Sequence, residues 1–247
     1  MMNRTILMLA LLAGCATTEQ VQNLEKKVTD LEAKVTELEK RPVGPAGANK
    51  EPIDPAKEEA AAAAYKEIDD LIKAGDNVAA ADKVKAFTAA HGTTQVYKRA
   101  KKNLDELAVV GQTVSADWAT KIEKYYQGEG KVNLTQGTTL VVFWEEWCPH
   151  CKREVPKLTE TFAKYQGQGL NVVGLTRISK SSTEEKVNAF IAEQKVTYPM
   201  AKENGALADE FKVGGIPAAA IVKDGKVIWR GHPGRLDDAQ ITKMLGG

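Results

Sequence analysis

Residues 139–152, TLVVFWEEWCPHCK, contain two cysteines between a predicted strand and a predicted helix. The run that ends at Trp144 is almost entirely apolar, which is typical of a strand buried on both faces of a sheet. Beyond the cysteines, apolar residues recur at helical spacing, at Val155, Leu158, Phe162 and Tyr165. The CxxC pair formed by Cys148 and Cys151 therefore lies where a buried strand passes into a helix.

Three chemical roles are open to this pair. A structural zinc site needs four protein ligands, and the sequence has neither a second CxxC nor a histidine pair to supply them. A structural disulfide would close a two-residue loop that stores strain and exposes one sulfur. A redox-active pair needs no further ligand, and we favour it. We therefore expect no metal and no cofactor.

The helix start suggests a role for each residue of the CPHC sequence. Unpaired N–H groups and the helix dipole would stabilise a thiolate at Cys148, which would attack a partner disulfide. Cys151 lies one turn further into the helix and would resolve the mixed disulfide. Pro149 at the first helical position fixes the turn, and His150 would lower the pKa of Cys148 with its charge or its N–H.

Composition excludes several classes of protein. The chain has 247 residues, with 34 Lys and Arg against 33 Asp and Glu, so its net charge is +1. We expect no nucleic-acid partner, because such binding needs a basic excess. Three cysteines are too few for a small disulfide-stapled domain, and Cys15 lies far from the other two.

Residues 1–14 are predicted to be the signal peptide of a bacterial lipoprotein. A positive residue precedes an apolar run over 6–13, which is shorter than the roughly 20 residues that span a bilayer. The sequence LAGC at 12–15 resembles a lipobox, in which Cys15 becomes the lipid attachment site. An ordinary signal peptide is the alternative. We expect a periplasm-facing lipoprotein of the cell envelope, and Ala16 favours the outer membrane.

Residues 15–40 are predicted to form the lipidated N-terminus and a coiled-coil stem. Valine at each a position and leucine at each d position follow a 3-4 spacing, at Val21, Leu24, Val28, Leu31, Val35 and Leu38. This pattern favours a parallel coiled-coil homodimer. A homotrimer, or a lone helix packed on its own globular domain, is the alternative. Residues 41–56 contain four Pro and two Gly and are predicted to be a linker.

Residues 57–107 are predicted to form a small all-α segment of three helices. Asp54 and Pro55 would cap the first helix, and Thr94 the third. The pattern is similar to a fragment of a tetratricopeptide-type array, with room for about one and a half of the three repeats that such arrays need. We favour a spacer that packs on the following domain over a peptide-docking groove.

The segment around the cysteines resembles the active-site segment of thioredoxins. In FWEEWCPHCKREVP, a tryptophan precedes the first cysteine, a lysine follows the second, and Pro156 lies five residues beyond it. Further along, Gly215-Ile216-Pro217 resembles the cis-proline loop of the same fold, and Asp224-Gly225 predicts a hairpin turn. An extra strand and helix, the lipoprotein origin and a GHPGRLDD sequence make residues 108–247 similar to TlpA-type disulfide oxidoreductases.

The resemblance implies an α/β thioredoxin-like fold, a central mixed sheet flanked by helices, preceded by the coiled-coil helix and the all-α segment. It implies an extracytoplasmic thiol–disulfide oxidoreductase that acts on protein thiols or disulfides and exchanges electrons with a redox partner protein, with the direction open. Trp147 would border the substrate site, and Ile216 and Pro217 would pack against the cysteines. A non-catalytic envelope scaffold with a redox-regulated docking module is the alternative function.

The sequence departs from the thioredoxin pattern at one buried position. Val142 stands where thioredoxins place an aspartate that assists the resolving cysteine, so Glu145 or water would have to take its part. Glu145 and Glu146 also carry negative charge that raises a cysteine pKa, and we expect both side chains to be solvated. His232, near the C-terminus, is expected to be a turn residue.

Overall fold

The computed structural model describes residues 18–40 and 54–246. The predicted signal peptide, the lipid attachment site Cys15 and most of the predicted linker lie outside these ranges. The chain divides into two units, residues 1–52 and residues 53–247. No helix within the described ranges is both long and apolar enough to cross a membrane.

The described part of the first unit is the helix α1, over Thr18–Lys40. It spans the whole predicted heptad seam, and its apolar side chains at Leu24, Val28, Leu31 and Val35 are exposed. The predicted stem is therefore helical, and its pairing with a second chain stays a prediction.

The second unit is an α/β structure with one mixed sheet. Its helices are α2 (Pro55–Lys73), α3 (Asn77–His91), α4 (Gln95–Leu107), α5 (Pro149–Tyr165), α6 (Glu184–Glu193), α7 (Ala206–Glu210) and α8 (Asp238–Leu245). Its strands are β1 (Ile122–Gln127), β2 (Thr138–Trp144), β3 (Leu170–Thr176), β4 (Met200–Glu203), β5 (Ala218–Lys223) and β6 (Lys226–Gly231).

The sheet has the order β1-β4-β3-β2-β5-β6. Strand β3 runs parallel to β2 and β4, whereas the pairs β1 with β4, β2 with β5 and β5 with β6 are antiparallel. The predicted hairpin between β5 and β6 is present, with positive φ at Asp224 and Gly225. This mixed sheet flanked by helices is the predicted thioredoxin-like fold.

Strand β2 separates two hydrophobic layers. Val141 and Phe143 point into one layer, and Leu140, Val142 and Trp144 point into the other. Because side chains alternate across a sheet, a strand covered on both faces needs apolar residues at successive positions. The continuous apolar run in the sequence therefore marks the centre of the sheet.

The three N-terminal helices of this unit share a core with the first layer. Ile68 of α2, Phe87 of α3 and Leu104 of α4 belong to the same buried cluster as Phe143 of β2. The segment is thus packed on the thioredoxin-like domain, as a spacer of the favoured kind would be. Helix α2 begins before the expected boundary at residue 57, because Asp54 accepts hydrogen bonds from the first free backbone N–H groups.

A carboxylate on α2 caps α4 from outside. Glu58 accepts hydrogen bonds from the backbone N–H groups of Gln95 at 2.7 Å and Val96 at 3.1 Å. These groups have no acceptor within their own helix, and the positive end of the helix dipole favours a negative charge there. The contact therefore ties the first helix of the segment to the third.

Glu58→Ala is expected to lower the free energy of unfolding by about 1–2 kcal/mol, because it leaves two N–H groups without this acceptor. Urea unfolding followed by circular dichroism measures the change. The neighbouring Glu59, which is exposed, is the control, and Glu59→Ala should change the same quantity by less than about 0.5 kcal/mol. Equal effects of the two substitutions would contradict the capping role.

Candidate active site

Cys148 occupies the N-cap position of α5, with Pro149 as the first helical residue. The backbone leaves β2 through a short turn, in which the Cys148 N–H donates to the Glu145 carbonyl at 3.1 Å. Cys148 thus lies at the positive end of a 17-residue helix, where a thiolate is stabilised. The predicted strand-to-helix junction is where the structure places the pair.

The two cysteines differ in their surroundings. Both are free thiols; Cys148 keeps an exposed fraction of 5%, whereas Cys151 has none. Burial strongly raises the pKa of the Cys151 thiol, and the neighbouring Cys148 and the charge of Glu145 raise it further, against a backbone hydrogen bond that lowers it. Cys148 is therefore the sulfur that a partner can reach, and Cys151 is held as a protonated thiol behind it.

The loop before β5 covers the pair. The Ile216–Pro217 peptide bond is cis, as the resemblance to thioredoxins implied. The Cys148 thiol lies 3.7 Å from the Ile216 carbonyl oxygen, to which it can donate, and Ile216 packs against both hydrophobic layers. The structure thus brings Ile216 to Cys148, and Pro217 follows it in the same loop; packing of Pro217 against the cysteines stays a prediction.

Glu145 is buried, which corrects the expectation that it is solvated. One oxygen of its carboxylate accepts hydrogen bonds from the Trp147 indole N–H, at 2.6 Å, and from the Ser179 hydroxyl. The other oxygen lies 3.7 Å from the Arg177 guanidinium. Only 5% of the residue is exposed. These partners compensate for burial of the charge and fix the ring of Trp147.

No local pattern in the sequence predicts Arg177, Ser179 or Lys180 at the site. They belong to the loop that follows β3, and this loop contacts Trp147, next to the cysteine pair. The Lys180 ammonium lies 3.2 Å from the centre of the Trp147 ring, within cation–π range. Trp147 is therefore held on its edge by Glu145 and on its face by Lys180.

Glu146 is also less solvated than expected. Its carboxylate pairs with the Lys152 ammonium at 2.6 Å, and 13% of its side chain is exposed. Lys152 is the residue that follows the second cysteine. The ion pair with Lys152 offsets the negative charge of Glu146. Glu145 is the acidic residue whose charge acts on the Cys151 thiol.

Basic side chains lie on the exposed side of the α5 N-terminus. The His150 ring nitrogen Nδ1 lies 2.5 Å from the Arg153 guanidinium. Burial lowers the pKa of His232; Glu154 opposes this, and the charges of Arg235, His150 and Arg153 reinforce it. His232 accepts a hydrogen bond from the Gly234 N–H at 3.0 Å. It is thus the turn residue that we expected and also belongs to the rim of the site.

A groove of about 320 Å³ runs from the cis-proline loop onto the helical segment. Its lining includes Ile216, Pro217 and His232 on one side and Tyr65, Lys102 and Glu106 of the helices on the other. The helical segment packed on the sheet thus also forms one wall of a groove beside the cis-proline loop.

No group of three or more His, Cys, Asp or Glu side chains within the described ranges could hold a metal ion. Cys148 and Cys151 are free thiols, and the Glu145 carboxylate, the Trp147 indole ring and the Ile216 carbonyl lie around them. This set of groups can carry out thiol–disulfide exchange.

Comparison with known proteins places the similarity in this part of the chain. Residues 119–230 match the AhpC/TSA family. Thiol-disulfide oxidoreductase ResA of Oceanobacillus iheyensis is 34% identical over 82 residues, which are 33% of this chain and 41% of that protein. Sporulation thiol-disulfide oxidoreductase A of Bacillus subtilis is 25% identical over 87 residues, 35% of this chain and 53% of that protein. The chain spans about half the length of these curated relatives.

Solved structures of similar proteins include StoA from Bacillus subtilis, with a TM-score of 0.42 and 23% identity over 51% of this chain and 95% of that one. A thiol-disulfide isomerase from Corynebacterium glutamicum has a TM-score of 0.44 and 20% identity over 51% of this chain and 90% of that one. The expected similarity to thioredoxin-like thiol–disulfide oxidoreductases is confirmed by the sequence matches. The lipoprotein character and the coiled-coil stem stay predictions.

Iodoacetamide should alkylate the folded, reduced protein at Cys148 and spare Cys151. Alkylation needs an accessible thiolate, and burial both hides Cys151 and raises its pKa. We expect labelling of Cys151 to be at least about tenfold slower at neutral pH, as measured by mass spectrometry of the two labelled forms. The urea-unfolded protein is the control, in which both cysteines should react alike. Faster labelling of Cys151 in the folded protein would contradict the assignment.

Proposed function

We propose that this chain is a membrane-anchored, extracytoplasmic thiol–disulfide oxidoreductase that acts on protein substrates through Cys148 and Cys151. The observation that carries the proposal is the position of Cys148, which combines a helix N-terminus with contact to the Ile216 carbonyl on the cis-proline loop. Relatives named thiol-disulfide oxidoreductases, which are similar to about a third of this chain, support the proposal.

In the reducing direction, the Cys148 thiolate attacks one sulfur of a substrate disulfide. A bond forms between Cys148 and that sulfur, the substrate disulfide breaks, and the second substrate sulfur leaves as a thiolate that takes up a proton. Cys151 then loses its proton and attacks the Cys148 sulfur, which releases the first substrate thiol. The substrate gains two electrons, the enzyme holds a Cys148–Cys151 disulfide, and a dithiol redox partner reduces it again. An oxidase would run the same steps in reverse.

Proton transfer from Cys151 needs a group other than the aspartate of thioredoxins, because Val142 occupies that position. Burial is the main cause of the raised pKa of Cys151, and the charge of the buried Glu145 carboxylate adds to it. A negative charge that resists thiolate formation also attracts the departing proton. We assign to Glu145, directly or through water, the removal of the Cys151 proton once the mixed disulfide has formed.

A substrate segment would lie along the cis-proline loop in an extended form. Backbone hydrogen bonds with Ile216 would recognise it with little dependence on its sequence. The groove that continues between His232 and the helical segment would receive residues that flank the substrate cysteine. The tryptophan ring of Trp147, fixed by Glu145 and Lys180, would form the other border of the site.

Attachment of lipid at Cys15 would hold the protein on the periplasmic side of a bacterial membrane. The support for this step is the LAGC sequence after a short apolar run. Several acyl chains on one cysteine would anchor stably, since each buried CH₂ contributes about 0.8 kcal/mol. The stem and the linker then separate the catalytic domain from the membrane.

Cys151→Ser is expected to trap mixed disulfides between Cys148 and substrate proteins, because the resolving sulfur is absent. Non-reducing electrophoresis of lysates from cells that express the variant should show adducts that disappear when dithiothreitol reduces their disulfide bonds. The Cys148→Ser/Cys151→Ser variant is the control and should form none. The wild-type protein should reduce insulin or refold reduced or scrambled ribonuclease, and the double variant should not. If neither assay depends on the cysteines, or the double variant keeps its cellular function, the scaffold alternative replaces the enzyme.

His150→Gly should move the reduction potential of the Cys148–Cys151 pair to a more negative value. A group that favours the thiolate stabilises the reduced form, so its removal destabilises that form. We expect a shift of a few tens of millivolts, where about 30 mV corresponds to 1.4 kcal/mol, as measured by equilibration with glutathione buffers. His91→Gln, outside the site, is the control. Equal potentials for the wild type and His150→Gly would show that the helix terminus alone controls Cys148.

A further inference from the structure

Four apolar residues of the α1 seam are exposed. Leu24, Val28, Leu31 and Val35 have exposed fractions of 59, 42, 59 and 51%. Apolar side chains at every a and d position of a helix are costly to leave in water, and they favour a partner helix with the same spacing. The charges that flank the seam identify that partner.

The flanking positions of the heptads are divided by sign. The e positions, which follow each leucine, are Glu25, Glu32 and Glu39. The g positions, which precede the second and third valines, are Lys27 and Lys34. One edge of the seam is therefore acidic along its whole length, and the other edge is basic after its first position.

We infer that α1 pairs with α1 of a second copy of this chain as a parallel, in-register, two-stranded coiled coil. In that arrangement each g residue faces the e residue of the next heptad in the other helix. Lys27 then meets Glu32 of the second copy, and Lys34 meets Glu39, and each pair occurs twice. An antiparallel arrangement brings g against g and e against e, which sets lysines against lysines and glutamates against glutamates.

The valines and leucines of the seam also favour two strands in register, as the flanking charges do. Valine at a with leucine at d favours two strands over three. A shift by one heptad would leave one valine–leucine layer without a partner at each end of a three-heptad helix. The parallel direction also means that the two chains leave the stem at the same end.

Charge reversal tests the pairing in the full chain with Cys15, Cys148 and Cys151 replaced by serine. The variant Lys27→Glu/Lys34→Glu places glutamate against glutamate, and the variant Glu32→Lys/Glu39→Lys places lysine against lysine. We expect each alone to dimerise at least about tenfold more weakly than the parent in sedimentation equilibrium, and an equimolar mixture to recover a heterodimer. A parent chain that stays monomeric up to about 1 mM, the effective concentration that tethering can supply, would overturn the inference, as would reversals without effect.

Disulfide trapping tests direction and register in the same cysteine-free chain. Leu24→Cys lies at a d position near one end of the seam, so it can cross-link to its counterpart only if the helices are parallel and in register. Lys26→Cys, on the outer face of the same turn, is the control and should not cross-link. A cross-link at Lys26→Cys alone, no cross-link at Leu24→Cys, or a trimer in sedimentation would each contradict the two-stranded arrangement.

Discussion

Burial of β2 on both faces is the constraint on which the rest of the second unit depends. The strand pairs with β3 on one side and β5 on the other over most of its length, and its side chains enter two separate hydrophobic layers. This pairing and burial fix the position of the C-terminal end of β2. The short turn that follows then places Cys148 at the start of α5. The cis-proline loop precedes β5, the direct neighbour of β2, and this adjacency brings Ile216 to Cys148.

The two sides of the α5 N-terminus differ in their electrostatics. On the exposed side, His150 and Arg153 supply basic groups, and the helix N-terminus adds its own partial positive charge. On the buried side, the absence of solvent keeps Cys151 protonated, and the neighbouring Cys148 and the charge of Glu145 add to this effect. The two cysteines therefore differ in reactivity by position rather than by residue type. Thiol–disulfide exchange needs this difference, because one sulfur attacks the substrate and the other reacts only after the mixed disulfide has formed.

Local sequence patterns predicted the elements whose cause is local. The apolar run of β2, the Asp224-Gly225 turn and the cap at Asp54 each depend on a few adjacent residues, and the structure contains all three. The burial of Glu145 could not be read in this way. Its partners Arg177 and Ser179 lie about 30 residues further along the chain, in a polar loop whose sequence resembles any exposed loop. A charged residue next to a cysteine motif is expected to be solvated, because the sequence does not show which distant loop will cover it.

The helical segment illustrates how a packing role and a recognition role arise from the same contacts. Leu104 and Leu107 of α4 are buried in the core that includes one layer of the sheet, and this packing fixes the direction of the helix. Lys102 and Glu106 lie on the same helix and line the groove beside Pro217. Because residues three and four apart share a helix face, the core residues determine which polar side chains meet the groove. A change that loosens the packing of α4 would therefore alter the wall of the groove as well as the stability of the domain.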